Sequence, residues 1–429
     1  MNRFDQAALD ALPGSGPFQE LRAKAFAEYE GLPIPPQTTE EWRYTDLSEF
    51  DFDFAPFTDG GTASSLDEVP DEVLAAAGDV GERAGLLIQR DSSVMVSHLS
   101  PELAAEGVLF GDLGSFAESH PELVEPHLGS QVEVARTKFT ALHYAFRSGG
   151  TFLYVPDGVA VELPLQSLTY LATDGAAVFP HTLIVVGEQA EVTFIDRFAS
   201  PDLRGFSDAA VEIVAGKGSH VTYASLQEWG EGVTHLGVQR ARLARDAQFH
   251  TLNIGFGGTL ARAEVESILA EPGAHAEALG IFFADGEQLF DHRTEQDHVA
   301  PNCDSTLLYK GALRDHSRAI FSGWVHVREG AQKTDAMQTS RNIVLSPHAK
   351  ADAIPNLEIE ANDVKCGHAA SVGPVSPDEL FYLESRGIPA KQAERLIVFG
   401  FFQEVLDKIT IAEVRESVSA AIEAELARD

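Results

Sequence analysis

The chain has 429 residues, 66 of them acidic against 31 basic, and a formal net charge of −35; that balance excludes a nucleic-acid binder that works by neutralising phosphates. No apolar run reaches the length of a membrane span, and the N-terminus MNRFDQAALD has acidic residues where an export signal would be apolar, so a cytoplasmic protein with no membrane contact is expected. Two cysteines, Cys303 and Cys366, make no disulfide framework and are expected to be free thiols in a reducing compartment.

Residues 1 to about 50 read as helical. Phe18, Leu21, Ala25 and Phe26 recur on one helical face, and GLPIPP (Gly31 to Pro36) stops the pattern. Trp42 and Tyr44 read as packing aromatics, and Asp51 to Ser64, rich in Gly, Asp and Phe, as loop. A short strand is predicted at Gly85 to Gln89 and a helix at Pro101 to Glu106. Val134, Ala141, Leu142 and Ala145 predict a further helix ending at Gly149 and Gly150. Residues 1–150 thus form a mostly helical N-terminal region.

After Gly150 the texture changes to short apolar strands broken by Gly, Asp or Pro turns. A turn, a small residue and then alternating apolar positions recur: VAVEL at 159, AEVTF at 190, SHVTY at 219, AQFHT at 247, AHAEA at 274, SRAIF at 317 and AKADA at 349. Most starts lie 27 to 32 residues apart, with one longer gap between 274 and 317. Such a repeat means a solenoid or a series of hairpins in a sandwich. The small residue at most corners favours the solenoid, because stacked coils crowd their side chains there. The predicted class is mainly β: a right-handed parallel β-helix-like core over 151–375, with Val192, Val221 and Phe249 in successive inward layers.

The longer gap holds DHRTEQDHVAPNCD (Asp291 to Asp304), whose His292, His298 and Cys303 read as a hydrogen-bonded loop without a catalytic role. Further on, Cys366 and His368 stand two apart. On a strand they share one face. Two ligands do not close a structural zinc site or a four-thiolate cluster. From spacing alone, a packed thiol beside a hydrogen-bonded imidazole is favoured over a ligand pair. Gly373 marks the exit from this stretch.

The tail is helical. Ser376-Pro377-Asp378-Glu379 is a capping box with Pro at the first helical position, Gly387 is the stop, Pro389 opens the next helix and Thr410-Ile411-Ala412-Glu413 starts a last one. The run Leu396, Ile397, Phe399, Gly400, Phe401, Phe402 is too wide an apolar stretch for one face and needs something besides its own domain's core to pack on. A compact three-helix cap on the solenoid is the bland alternative.

Other chemistry is absent from the pattern. GKGS at Gly216 to Ser219 lacks the first glycine and the hydroxyl residue of a phosphate loop, and no GxSxG, HExxH, CxxC or helix-opening GxGxxG occurs. The acids are scattered and only nine of the basic residues are lysines. Both a salt-adapted proteome and a solubility-favouring surface fit that pattern.

The run LEIEANDVKCGHAASVG followed by DELFYLESRGI resembles the most recognisable segment of the SufB/SufD family, the scaffold proteins of the SUF iron–sulfur assembly system. EEWRYTDL (Glu40 to Leu47), LYKGALRDHSRAIFSGWVHV (Leu308 to Val327), KTDAMQTSRNIVLS (Lys333 to Ser346) and AERLIVFGFFQEVL are similar to its other blocks. SufB-type chains usually carry more internal cysteines and a glutamate near the histidine. The segment here is closer to the SufD-type CSHGATVG, with Gly for Ser and Ala for Gly leaving Cys366 and His368 in place. The resemblance implies the same solenoid and a non-catalytic scaffold whose ATP hydrolysis belongs to a separate SufC-like ABC ATPase. It implies docking of that ATPase on a C-terminal helical domain, 376–429, whose deletion is expected to leave the solenoid soluble. It also implies pairing with a SufB-like chain, a possible homodimer when isolated, and a transient iron–sulfur cluster shared between partners. His368 is then the metal ligand, and Cys366 assists or only packs. Two other readings stand beside this: a structural partner of SufB that contributes no ligand, and a β-helix enzyme acting on polysaccharide.

Overall fold

The computed structural model describes residues 2–13, 18–48, 50–78 and 83–427. Its helices are α1 (Gln6–Asp10), α2 (Phe18–Gly31), α3 (Asp71–Ala77), α4 (Pro101–Ala105), α5 (Leu113–Ser119), α6 (Pro121–Val124), α7 (Lys138–Phe146), α8 (Pro377–Ser385), α9 (Ala390–Leu406) and α10 (Ala412–Ala427). The strands before the main repeat are β1 (Gly85–Arg90), β2 (Ser93–Leu99), β3 (Leu109–Asp112), β4 (Thr151–Val155), β5 (Leu165–Tyr170), β6 (Ala177–Val178) and β7 (His181–Val186). The repeat itself comprises β8 (Glu191–Ala199), β9 (Gly205–Ala215), β10 (His220–Glu228), β11 (Val233–Leu243), β12 (Gln248–Gly255), β13 (Leu260–Leu269), β14 (His275–Ala284), β15 (Leu289–His298), β16 (Asp304–Leu313), β17 (Arg318–Val327), β18 (Asp335–Val344), β19 (Lys350–Ile359) and β20 (Lys365–Pro374).

These strands make two facing sheets. Sheet 1 runs β2-β1-β5-β8-β10-β12-β14-β16-β18-β20 and sheet 2 runs β19-β17-β15-β13-β11-β9-β7-β4-β3. The chain alternates between the sheets, and every pairing within the repeat is parallel. The core is therefore a parallel β-solenoid of about eight coils. Val192, Val221 and Phe249 lie in register across three consecutive strands of sheet 1, each enclosed. The ladder continues through Ala276, Ser305 and Ala336 to Cys366. Strands before residue 150 also join the sheets: β1 pairs in parallel with β5, and β3 runs antiparallel to β4.

One corner explains the recurring small residue. The residue just before each of the six sheet 1 strands β8, β10, β12, β14, β16 and β18 is enclosed: Ala190, Ser219, Ala247, Ala274, Cys303 and Thr334. The residue before that has a left-handed φ in every case, from Gln189 (55°) and Gly218 (65°) to Asn302 (59°) and Lys333 (66°). The turn bends the chain inward and leaves room for only a few heavy atoms. Where the corner residue carries a hydroxyl, it donates to the turn: Ser219 Oγ to the Gly216 carbonyl at 2.7 Å and Thr334 Oγ1 to Ala331 at 2.8 Å. GKGS is this corner and nothing more. Cys303 fills the slot in the long gap, so the gap is not an insertion. Ser317 and Ala349, by contrast, precede β17 and β19 and belong to the opposite corner.

Helical layers cover the outer walls. Phe4, Phe26, Trp42, Phe139 and Phe146 pack on Phe179, Phe206 and Leu236 of the sheet 2 side. Trp42 is a packing aromatic, with the Arg262 guanidinium 3.9 Å above its ring. Among the described residues of 32–50 there is only one short 3₁₀ turn, so the helical reading of that segment ends at Gly31. The C-terminal helices do not cap the solenoid. Val398, Phe402, Val405, Val414, Val418 and Ile422 pack against the outer wall of sheet 1, on Ile195, Leu226, Leu252, Ile254, Leu279 and Ile281. Lys310 fixes α9 there through the Phe401 carbonyl (2.7 Å) and Glu404 (2.6 Å). Among the described residues no helix is long and apolar enough to cross a membrane.

Candidate functional site at the open end of the solenoid

β19 and β20 are the last strands of their sheets, so the final coil ends in two free edges. Side chains alternate along β18: Ala336, Gln338, Ser340 and Asn342 are enclosed, while Met337 and Arg341 are exposed. The register places Cys366 on Ala336 and His368 on Gln338. Thiol and imidazole thus share the lumen-facing side of a strand on which no further strand is stacked. Ala370 and Val372 continue that face on β20. Across the lumen Leu357 and Ile359 of β19 follow Val325 and Val327 of β17. The strand runs through Gly373 and ends at Pro374, so the exit falls one residue later than the glycine suggests.

The two groups differ in setting. Cys366 is half-buried against the cluster of Val325, Val327, Ala331 and Ala336. Burial, with the Asp335 charge beside it, holds its thiol above the ordinary cysteine range. At neutral pH the free sulfur is therefore held in its protonated form, a proton that metal binding would have to release. His368 is exposed. Beside the pair the terminal coil exposes the apolar side chains of Ile359 (41% exposed) and Val372 (44%), and Met337 (50%) is exposed on the outward face of β18. Free edges and exposed apolar side chains on one end of a sheet stack mark a surface built to be covered.

Asp291 to Asp304 is not a loop. His292 and His298 are both on β15, and their spacing of six, an even number, puts them on one face. That face is the lumen. His292 stacks on Phe282 at 4.7 Å and His298 bonds Ser305 Oγ at 2.7 Å. Burial pushes both pKa values down to about 4. Cys303 lies 3.3 Å from the Glu271 carbonyl with its thiol pKa raised by burial. The three are packed structure, two coils in from the open face.

A second exposed surface lies on the C-terminal helices. Ser376 Oγ accepts from the Glu379 amide at 3.4 Å, the Ser376 half of the expected capping box, and Gly387 ends the turn with φ of 87°. The apolar run on α9 is divided: Val398 and Phe402 are buried on sheet 1, whereas Leu396 is 50% exposed. Phe381 (71% exposed) and Tyr382 (56%) on α8 extend that patch. Sequence reasoning missed these two. Their signal was available in the i, i+3, i+4 pattern of α8, which leaves Leu380 inward and its neighbours out.

Comparison with known proteins places the chain in a family. Residues 169–401 match the family model described as SUF system FeS cluster assembly, SufBD core domain, and residues 83–167 match the SufBD protein N-terminal region. The chain is 34% identical over 414 residues to the iron-sulfur cluster assembly protein SufD of Bacillus subtilis strain 168, covering 94% of this chain and 93% of that one. It is 30% identical over 394 residues to an iron-sulfur cluster assembly SufBD family protein of Staphylococcus saprophyticus, covering 89% and 83%. A 30% relative from Staphylococcus epidermidis covers 90% of this chain and 84% of its own length. With its two-sheet solenoid, its open terminal coil and these matches along nearly its whole length, the chain belongs to the SufB/SufD family.

Proposed function

We propose that this chain is a SufD-like scaffold subunit of the SUF iron–sulfur assembly complex, and that His368 supplies an iron ligand to the nascent cluster. The observation that carries the reading is the placement of His368 on the exposed lumen face of β20, the free edge strand of sheet 1. A SufB-like chain laid across β19 and β20 would satisfy both edges and cover Ile359 and Val372, as edge-to-edge pairing does elsewhere. The iron–sulfur cluster is then cargo held between two chains, with His368 offering nitrogen and the partner offering thiolate. Mixed ligation by imidazole and few thiolates leaves exchangeable positions, which suits a cluster that is handed on. The half-buried, protonated thiol of Cys366 favours a packing or assisting role for that residue. Exposed Phe381, Tyr382 and Leu396 are the docking surface assigned to a SufC-like ABC ATPase, and ATP hydrolysis is that subunit's work. Replacing His368 by Ala in the reconstituted complex tests the ligand assignment, since cluster assembly should fall while both partners stay bound.

A further inference from the structure

We propose that His326, Glu358 and Glu360 form a binding site for a divalent first-row transition-metal ion on the outer face of sheet 2. His326 on β17 and Glu358 on β19 are register partners on adjacent parallel strands. Glu360 follows two residues after Glu358, which puts both carboxylates on the same side of the chain. Ligand atoms of the three residues lie within 4.8 Å of one another, and no other trio of His, Cys, Asp or Glu among the described residues is so placed. The fold therefore brings one imidazole and two carboxylates to a single point.

His326 carries the second observation. Its side chain is 12% exposed, and its Nε2 is enclosed with no hydrogen-bond partner. Enclosed polar atoms are ordinarily paired, so an orphan ring nitrogen beside two carboxylates points to a missing acceptor of its lone pair. The other nitrogen, Nδ1, lies 3.9 Å from Glu295 Oε1. At that distance the two make a charge contact rather than a hydrogen bond, and burial with the neighbouring Glu266 and Asp297 charges raises the Glu295 pKa to about 7. Arg328 is paired with Asp297 through contacts of 2.9 and 3.2 Å, while Arg136, Arg240, Arg262 and Arg293 line the same cavity as His326 and Glu358.

The donor set selects the ion. One nitrogen and two oxygens suit Fe²⁺, Mn²⁺, Co²⁺ or Zn²⁺ better than Mg²⁺ or Ca²⁺, which favour all-oxygen shells. Three protein ligands leave positions for water, so binding is exchangeable. Glu360 precedes Cys366 by six residues, but the site is on the outer wall and uses neither Cys366 nor His368.

Co²⁺ is the probe, titrated into the full chain under anaerobic conditions and followed by equilibrium dialysis and visible absorption. In a Cys366→Ser, His368→Ala background one Co²⁺ should remain bound, with nitrogen–oxygen ligand-field bands and no thiolate charge-transfer band. Adding His326→Ala, or separately Glu358→Gln with Glu360→Gln, should weaken that ion at least about 10-fold. A tenfold excess of Mg²⁺ should not displace it. Co²⁺ binding that is unchanged in both the His326 and the double glutamate variants is adventitious binding to an acidic surface, and overturns the proposal. So does loss of all bound Co²⁺ in the Cys366, His368 background.

Discussion

Asp196 faces the lumen from β8, fully enclosed, and accepts hydrogen bonds from Ser167 Oγ (2.6 Å), Thr182 Oγ1 (2.8 Å) and the Tyr223 hydroxyl (2.9 Å). Burial raises its pKa to about 6, against the three hydroxyls that pull the other way. The folded chain thus holds a proton that the unfolded chain, with an ordinary carboxylate near 3.8, gives up. Stability from this residue is full below about pH 4, falls as pH rises from about 4 to 6, and is level above that. Two units at about 1.4 kcal/mol each make the swing about 3 kcal/mol. Asp196→Asn keeps the shape and cannot ionise, and its amide still meets the hydroxyls, which both donate and accept. The comparison is of urea unfolding midpoints for wild type and Asp196→Asn between pH 4 and pH 7.5. Because the other 65 acidic residues are common to both chains (66 minus one), their titration cancels in the difference. The variant should gain on wild type by up to about 3 kcal/mol as the pH rises. Curves that stay parallel across that range would show that the carboxylate is ionised in the fold and that the reasoning is wrong.

Cys303 should tolerate Ala, the residue its corner slot holds at 190, 247 and 274, while Cys303→Leu should cost about 1–3 kcal/mol by overpacking, read by thermal melting. Cluster assembly should be unaffected by Cys303→Ala, and a loss would give the thiol a role beyond the corner. Deleting 376–429 should yield insoluble chain, contrary to the sequence expectation, because it strips cover from Leu226, Leu252, Ile254, Leu279 and Ile281; the soluble fraction after lysis decides it. Phe381→Asp with Tyr382→Ser should leave the circular dichroism unchanged, since both are exposed, and should abolish co-purification with the ATPase. Retained ATPase would move the docking surface elsewhere.

The solenoid was legible because two periods coincide: alternation along the strand put Val192, Val221 and Phe249 inward, and the coil length returned them to one layer. The repeat was lost at Cys303 for a simple reason. A search for Ala or Ser at the corner passes over a cysteine of similar size and resumes at Ser317, one corner away. The apparent loop around His292 hid a strand because its inward residues are polar, and alternation was sought in apolar ones. The start of α8 at Ser376 and its stop at Gly387 were written in the sequence, but the docking of the C-terminal helices was not. Its trace lay in the other wall: Ile195, Leu226, Leu252 and Ile254 make sheet 1 strands apolar on both faces, which a wall exposed to water would not be. The pair Cys366 and His368 was visible as a spacing. Only the register with Ala336 and Gln338, and the free edge beside them, separates the half-buried thiol from the presented imidazole.

The central claim is that His368 serves as a ligand at an interface. Its most direct test is anaerobic reconstitution of the complex with a SufB-like chain and a SufC-like ATPase, followed by absorption spectroscopy with His368→Ala in place of wild type. Removing one exposed imidazole costs little stability, so both partners should remain bound and ATPase stimulation should be unchanged. Cluster absorption should be lost or appear at least about 10-fold more slowly, and Cys366→Ser should be the milder change. Wild-type assembly by a His368→Ala complex with both partners retained would contradict the account and leave this chain a structural partner that contributes no ligand.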